Sequence, residues 1–124
     1  MNLNQITVQV FDVEKSISFY EKLGLKLIVK SLPNYARFMC SNGNSTFSLH
    51  KSEIVENRCG IWIYFETENL DDEVKALMDK GIDFDQLPQD MPWLWREARL
   101  KDLDDNHIIL YYAGQNRLNP PWRI

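Results

Sequence analysis

The chain has 124 residues and a formal charge of −4, a length that fits one domain with a real core. The acidic balance argues against a nucleic-acid footprint, and no apolar run approaches the ~20 residues of a membrane span. Cys40 and Cys59 are too few for a disulfide framework or a zinc cage and read as small, partly buried hydrophobes. The N-terminus lacks signal-peptide architecture, so a cytoplasmic location is expected.

Gln5 to Val10 alternates with period two, so Ile6, Val8 and Val10 face one way and Gln5, Thr7 and Gln9 the other. Asp12 suits the N-cap of a helix from Val13 to Leu23, whose stripe is Ile17, Phe19, Tyr20 and Leu23. Gly24 ends it as a left-handed C-terminal residue would. Strand-like runs follow at Leu25–Lys30, Tyr35–Cys40 and Thr46–Lys51, with turns at Pro33-Asn34 and Asn42-Gly43-Asn44.

The pattern then restarts. Ile61 to Phe65 alternates, Asn69 caps a second helix from Leu70 to Lys80, Val74, Leu77 and Met78 form its apolar face, and Gly81 ends it. Val13 to Gly24 and Leu70 to Gly81 both span eleven residues, and Gln5 and Trp62 each lie eight before their helix. Such matched offsets point to an internal duplication of strand–helix–strand–strand–strand units. In the second unit Ile82–Phe84 reads as a short strand, followed by a Pro-rich loop. Arg96 to Ala113 then reads as a hairpin with an Asp-Asp-Asn turn.

The run Val10-Phe11-Asp12-Val13-Glu14-Lys15-Ser16, with Phe19-Tyr20 and Leu23-Gly24, resembles the vicinal oxygen chelate superfamily of glyoxalase I, bleomycin-resistance proteins and extradiol dioxygenases. Phe65-Glu66, Asn69-Leu70-Asp71 and Asp102-Leu103-Asp104-Asp105-Asn106 before Ile109-Leu110-Tyr111 extend the likeness. The last run is similar to the family's Asp-Pro-Asp-Gly-Asn turn, with Leu103 and Asp105 as departures. The resemblance implies an α+β fold of two βαβββ modules forming a curved mixed sheet with an internal cavity. Within a single domain, module one covers about 1–52, module two about 58–113, and a tail 114–124. It also implies a homodimer.

Metal-dependent relatives hold one divalent ion at four sheet positions, which the resemblance maps onto Gln5, His50, Trp62 and Ile109. Gln5 and His50 are competent ligands; an indole and an alkyl chain are not. Two ligands rarely hold a catalytic ion, so neither a metal nor another cofactor is expected. The fallback set for a displaced ion is Gln5, His50 and Glu97.

Strand parity turns Gln5, Thr7, Thr46, Ser48, His50, Trp62, Tyr64, Glu97, Arg99, Ile109 and Tyr111 away from the helix-facing residues. The candidate ligand-binding set is Gln5, Thr7, Ser48, Trp62, Tyr64, Trp95, Arg99 and Tyr111, with His50 and Glu97 as candidate catalytic groups. Plainer roles stand beside these. His50 also fits an ordinary exposed histidine, Glu97 and Arg99 a simple ion pair, and Trp62 and Tyr64 core or interface aromatics. Trp93 and Trp95, between prolines and a strand, suggest a flap, and Trp122 suggests a tail docked on the domain or on a second subunit. The expected function is small-molecule binding without the full metal site. The rivals are a lyase- or dioxygenase-like enzyme with a displaced metal, metal-free acid/base chemistry by His50 and Glu97, and an interaction module. The expected partner is a small molecule, with neither nucleic acid nor membrane.

Overall fold

A computed structural model describes residues 1–54 and 60–124; Cys59, expected as a small, partly buried hydrophobe, lies outside the described residues. Period-two alternation produces β1 (Gln5–Val10), with Val8 and Val10 buried. Helix α1 (Val13–Lys22) starts where the Asp12 carboxylate accepts the Lys15 N–H at 3.0 Å. Gly24 takes φ 95° just past its end, a conformation that costs glycine nothing. Strands β2 (Lys26–Ser31), β3 (Tyr35–Met39) and β4 (Thr46–Lys51) complete a sheet of order β1-β4-β3-β2. The β1–β4 pair is parallel and the others antiparallel.

One compact unit comprises this sheet, α1 and the turn Asp102–Asp105. Val13, Ile17 and Tyr20 of α1 bury against Phe38, Phe47 and Leu49, with the Tyr20 and Phe47 ring centroids 4.6 Å apart. Burying such side chains contributes ~1.5–3 kcal/mol each. The Tyr20 hydroxyl donates to Asp102 Oδ2 at 2.6 Å, and Asp102 Oδ1 accepts the Asp104 N–H at 2.9 Å. The Phe11 N–H reaches Asp104 Oδ1 at 3.0 Å. Asp102, a buried carboxylate, is therefore held by hydrogen bonds, as burial demands.

The other unit repeats the plan: β5 (Trp62–Glu66), α2 (Leu70–Asp79), β6 (Gln86–Asp90), β7 (Arg96–Lys101) and β8 (His107–Tyr112), in sheet order β5-β8-β7-β6. Again only the first pair, β5–β8, is parallel. The chain is thus α+β with two βαβββ modules, whose strands form two four-stranded mixed sheets. Leu70, Val74 and Leu77 of α2 are buried, as are Ile63, Ala98, Leu100 and Ile108 of the sheet, and α2 packs on β7 and β8.

Three local expectations change. Residues 82–84 are not a strand; Ile82 is buried and its N–H bonds Leu77 O at 3.0 Å, closing the helix end. The strand forms instead at Gln86–Asp90, where Pro88 sits on the sheet edge beside a register shift. An edge is where a residue lacking an N–H costs least. Asn69 occupies the N-cap of α2 with no side-chain cap bond. Asp71, Asp72 and Glu73 in the first turn instead complement the helix dipole. Met78 lies outside the buried face and is exposed.

Candidate functional site

The face of the first sheet away from α1 carries a chain of polar contacts. Gln5 Nε2 donates to Ser48 Oγ at 2.8 Å and Thr7 Oγ1 at 3.2 Å, while its Oε1 accepts from the Thr46 hydroxyl. Ser48 Oγ also meets the Tyr35 hydroxyl at 2.8 Å, and that hydroxyl accepts Arg37 Nε–H at 2.8 Å. Gln5, Thr7 and Ser48 are brought together, but Ser48 is fully buried beneath the network. Tyr35 and Arg37 are additions to the candidate set. Their signal was the alternation Tyr35-Ala36-Arg37-Phe38, in which Ala36 and Phe38 are buried.

His50 stands across the ladder from Tyr35, but its hydrogen bond runs to Lys51 O and not to this network. It pairs beside Gln9, four residues along the strand from the Thr46 that pairs with Gln5, roughly 13 Å at the usual strand rise. It is exposed, and its Nδ1 lies 2.8 Å from Lys51 O.

Register places Trp62, Tyr64, Ile109, Tyr111, Glu97 and Arg99 on one face of the second sheet, since Tyr64 pairs with Ile109, Glu97 with Tyr111 and Arg99 with Ile109. Glu97 is 0% exposed. Its Oε1 accepts the Trp93 indole N–H at 2.7 Å and its Oε2 accepts Arg99 Nη2–H at 3.2 Å. The Arg99 guanidinium carbon lies 5.4 Å from the Trp62 ring centroid, a cation–π distance. Trp95 stacks on Tyr111 with centroids 4.8 Å apart, and Tyr64 sets its edge against both. Burial raises the phenol pKa of Tyr64, helped by the Glu97 charge, and burial chiefly raises that of Tyr111.

A tight turn delivers both tryptophans. Met91 N–H bonds Trp95 O at 2.8 Å, Leu94 N–H bonds Met91 O at 3.0 Å, and Leu94 is driven to φ 68°. Side chains rarely occupy that region. Trp93 was expected in a flap, and its bond to Glu97 is an addition. No periodic signal reveals such a bond, because turn residues have no sheet parity. Trp122, expected to dock, is 57% exposed in this chain.

The residues present do not fit a divalent ion in the family's manner. Trp62 and Ile109 offer no ligating atom. The Gln5 oxygen is engaged by Thr46 and its amide nitrogen by Ser48 and Thr7. By ladder position, Ser48 rather than His50 is the first-module counterpart of Ile109, because Ser48 pairs with Thr7 as Ile109 pairs with Tyr64. Among the described residues, no group of three or more His, Cys, Asp or Glu could hold a metal.

Two surface grooves lie on the helical side of the second unit. One, about 300 Å³, is bounded by α2, Leu87, Pro88 and Arg96; the other, about 330 Å³, surrounds the start of α2. Arg96, which lines both, already bridges Asp71 at 2.9 Å and Asp90 at 3.0 Å. The chemistry-bearing side chains are on the opposite face.

Two βαβββ modules in one chain define a recognisable class of α+β protein. The sequence pattern of the Glyoxalase/Bleomycin resistance protein/Dioxygenase superfamily matches residues 2–110, and the chain belongs to that superfamily. A solved glyoxalase/bleomycin resistance protein/dioxygenase from Nocardioides is similar, with TM-score 0.79 and 19% identity, over 100% of this chain and 89% of its own. A superfamily member from Sphaerobacter thermophilus gives TM-score 0.74 and 23% identity, over 90% and 97% of the two chains. Lactoylglutathione lyase from Agrobacterium tumefaciens gives 0.73 and 14%, over 90% and 92%. At these identities the likeness is one of fold. No curated protein matches the sequence.

Proposed function

We propose that this protein binds a small molecule on the face of its second sheet opposite α2, without a divalent metal at the family's usual positions. One observation carries the proposal: Trp62 and Tyr64 remain 52% and 40% exposed there, beside the ion-paired Arg99 and a packed floor of Trp95 and Tyr111. Exposed aromatics next to a charge provide both contact area and orientation for a ligand. Acid/base chemistry has less support. Both Glu97 oxygens already accept hydrogen bonds, and the His50 ring is engaged with its neighbour's carbonyl. A homodimer in the cytoplasm completes the proposal, to be checked by light scattering and cell fractionation.

The test is tryptophan fluorescence and titration calorimetry against a panel of anionic, neutral and cationic aromatic compounds. Binding without turnover, lost in Trp62→Ala, is expected. A panel that leaves the Trp62 signal unmoved removes the proposal. Purified protein is expected to carry far less than one equivalent of metal, and chelation to leave binding unchanged. A stoichiometric metal whose removal abolishes ligand binding or turnover would restore the lyase or dioxygenase alternative.

A further inference from the structure

Resting on that small-molecule proposal, we infer that Arg99 is the ligand's anchor and that the ligand is a flat molecule carrying a carboxylate. The two modules provide an internal comparison. Arg37 on β3 pairs beside Ser48, and Arg99 on β7 pairs beside Ile109, so they hold equivalent ladder positions. Each lies against an aromatic ring, Arg37 at 5.5 Å from the Tyr35 centroid and Arg99 at 5.4 Å from that of Trp62. Their Nε atoms differ. Arg37 Nε–H is accepted by the Tyr35 hydroxyl at 2.8 Å. Glu97, which replaces Tyr35 at the matching position, accepts from Arg99 Nη2 instead. Arg99 Nε is left buried, and it has no hydrogen-bond partner.

A cationic N–H shielded from water without an acceptor is costly, so the site is short of one acceptor. Glu97 already neutralises one edge of the guanidinium, and Trp62 covers a face. The side chain as a whole is 33% exposed, so a modest swing of this flexible arginine presents Nε to an incoming group. A carboxylate suits the vacancy, because its oxygens accept charge-assisted hydrogen bonds in the guanidinium plane. Trp62 and Tyr64 beside it favour a flat apolar body on the same molecule. A cationic ligand is disfavoured, since it would have to displace both donors from Glu97.

The experiment compares 2-naphthoate, 2-naphthamide and 2-naphthylmethylamine by titration calorimetry on the full chain. The acid is expected to bind roughly tenfold or more tightly than the amide, the scale of one charge-assisted hydrogen bond, and the amine not at all. Arg99→Lys keeps a charge for Glu97 but lacks Nε, and it should lose roughly the same factor. Arg99→Gln should do likewise if circular dichroism shows it folded, while Lys30→Gln, which removes an exposed charge on β2, should bind the acid as the wild type does. Equal binding of acid and amide, or an unimpaired Arg99→Lys, overturns the inference. Failure of all three probes also overturns it. The wider small-molecule proposal then falls only if the full panel leaves Trp62 unmoved.

Discussion

Replacing Tyr20 by phenylalanine isolates one hydrogen bond in an otherwise unchanged core. Tyr20 is fully buried, and its ring meets Phe47 at 4.6 Å and Phe38 at 6.0 Å, contacts that phenylalanine retains. What disappears is the 2.6 Å bond from its hydroxyl to the buried Asp102 carboxylate. A bond to a charged group contributes about 1.5–3 kcal/mol, and the acceptor left behind stays in a dry site. Asp104 N–H still serves the other carboxylate oxygen, so a loss near 2 kcal/mol is expected rather than collapse. For a chain of this length that lowers Tm by roughly 5–10 °C. Urea unfolding of Tyr20→Phe, Asp102→Asn and the double variant measures the coupling directly. There is also a pH signature. Burial first, then the Asp102 charge, holds the Tyr20 phenol well above its ordinary value. The unfolded phenol ionises near about 10, so above that pH the unfolded state sheds its proton first. This share of stability is present below that pH and is lost as pH climbs. Tyr20→Phe should flatten the alkaline decline, leaving the part due to Tyr64 and Tyr111, whose phenols are raised too. A cost below about 0.5 kcal/mol, or fully additive single losses, would refute the assignment of the bond as a stabilising one.

Leu94→Gly should stabilise by about 0.5–1 kcal/mol, because relief of a left-handed leucine at φ 68° exceeds the added unfolded-state entropy; a lower urea midpoint contradicts this. Asp105→Gly places glycine at φ 62°, and a gain of a few tenths of a kcal/mol is expected, aspartate being tolerant there. Trp93→Phe removes the donor to Glu97 Oε1 and should cost about 1–3 kcal/mol in urea unfolding. Glu97→Gln in that background should cost more, because it removes the charge that pairs with Arg99; an unchanged or higher urea midpoint contradicts this.

The face-by-face reading of the strands was legible in the sequence because side-chain alternation is a local property. Ile63, Ala98 and Leu100 are buried under α2 while Trp62 and Tyr64 remain exposed. Pairing register is not local. Nothing within Thr46–Lys51 tells which residue stands beside Gln5, and the resemblance that groups His50 with Gln5 does not reveal the four strand positions between Thr46, which stands beside Gln5, and His50. The sixth strand was missed for a related reason. Ile82 is apolar and resembles a strand residue, whereas Pro88 discourages one until the partner strand shows that it occupies an edge. Trp93 was visible as an oddity, but its bond to Glu97 depends on a turn conformation that only the closed backbone defines.

The turn at Asp102–Asp105 belongs with the first compact unit although it is encoded between two stretches of the second. During synthesis, the amino-terminal half therefore emerges without the carboxylate that its Tyr20 hydroxyl requires. That half emerges with an unanswered polar group in its core, and it is completed only after Asp102 has been made. A chain cut between the modules would yield a first fragment without Asp102, so the first module is completed by a turn that the second half of the sequence supplies.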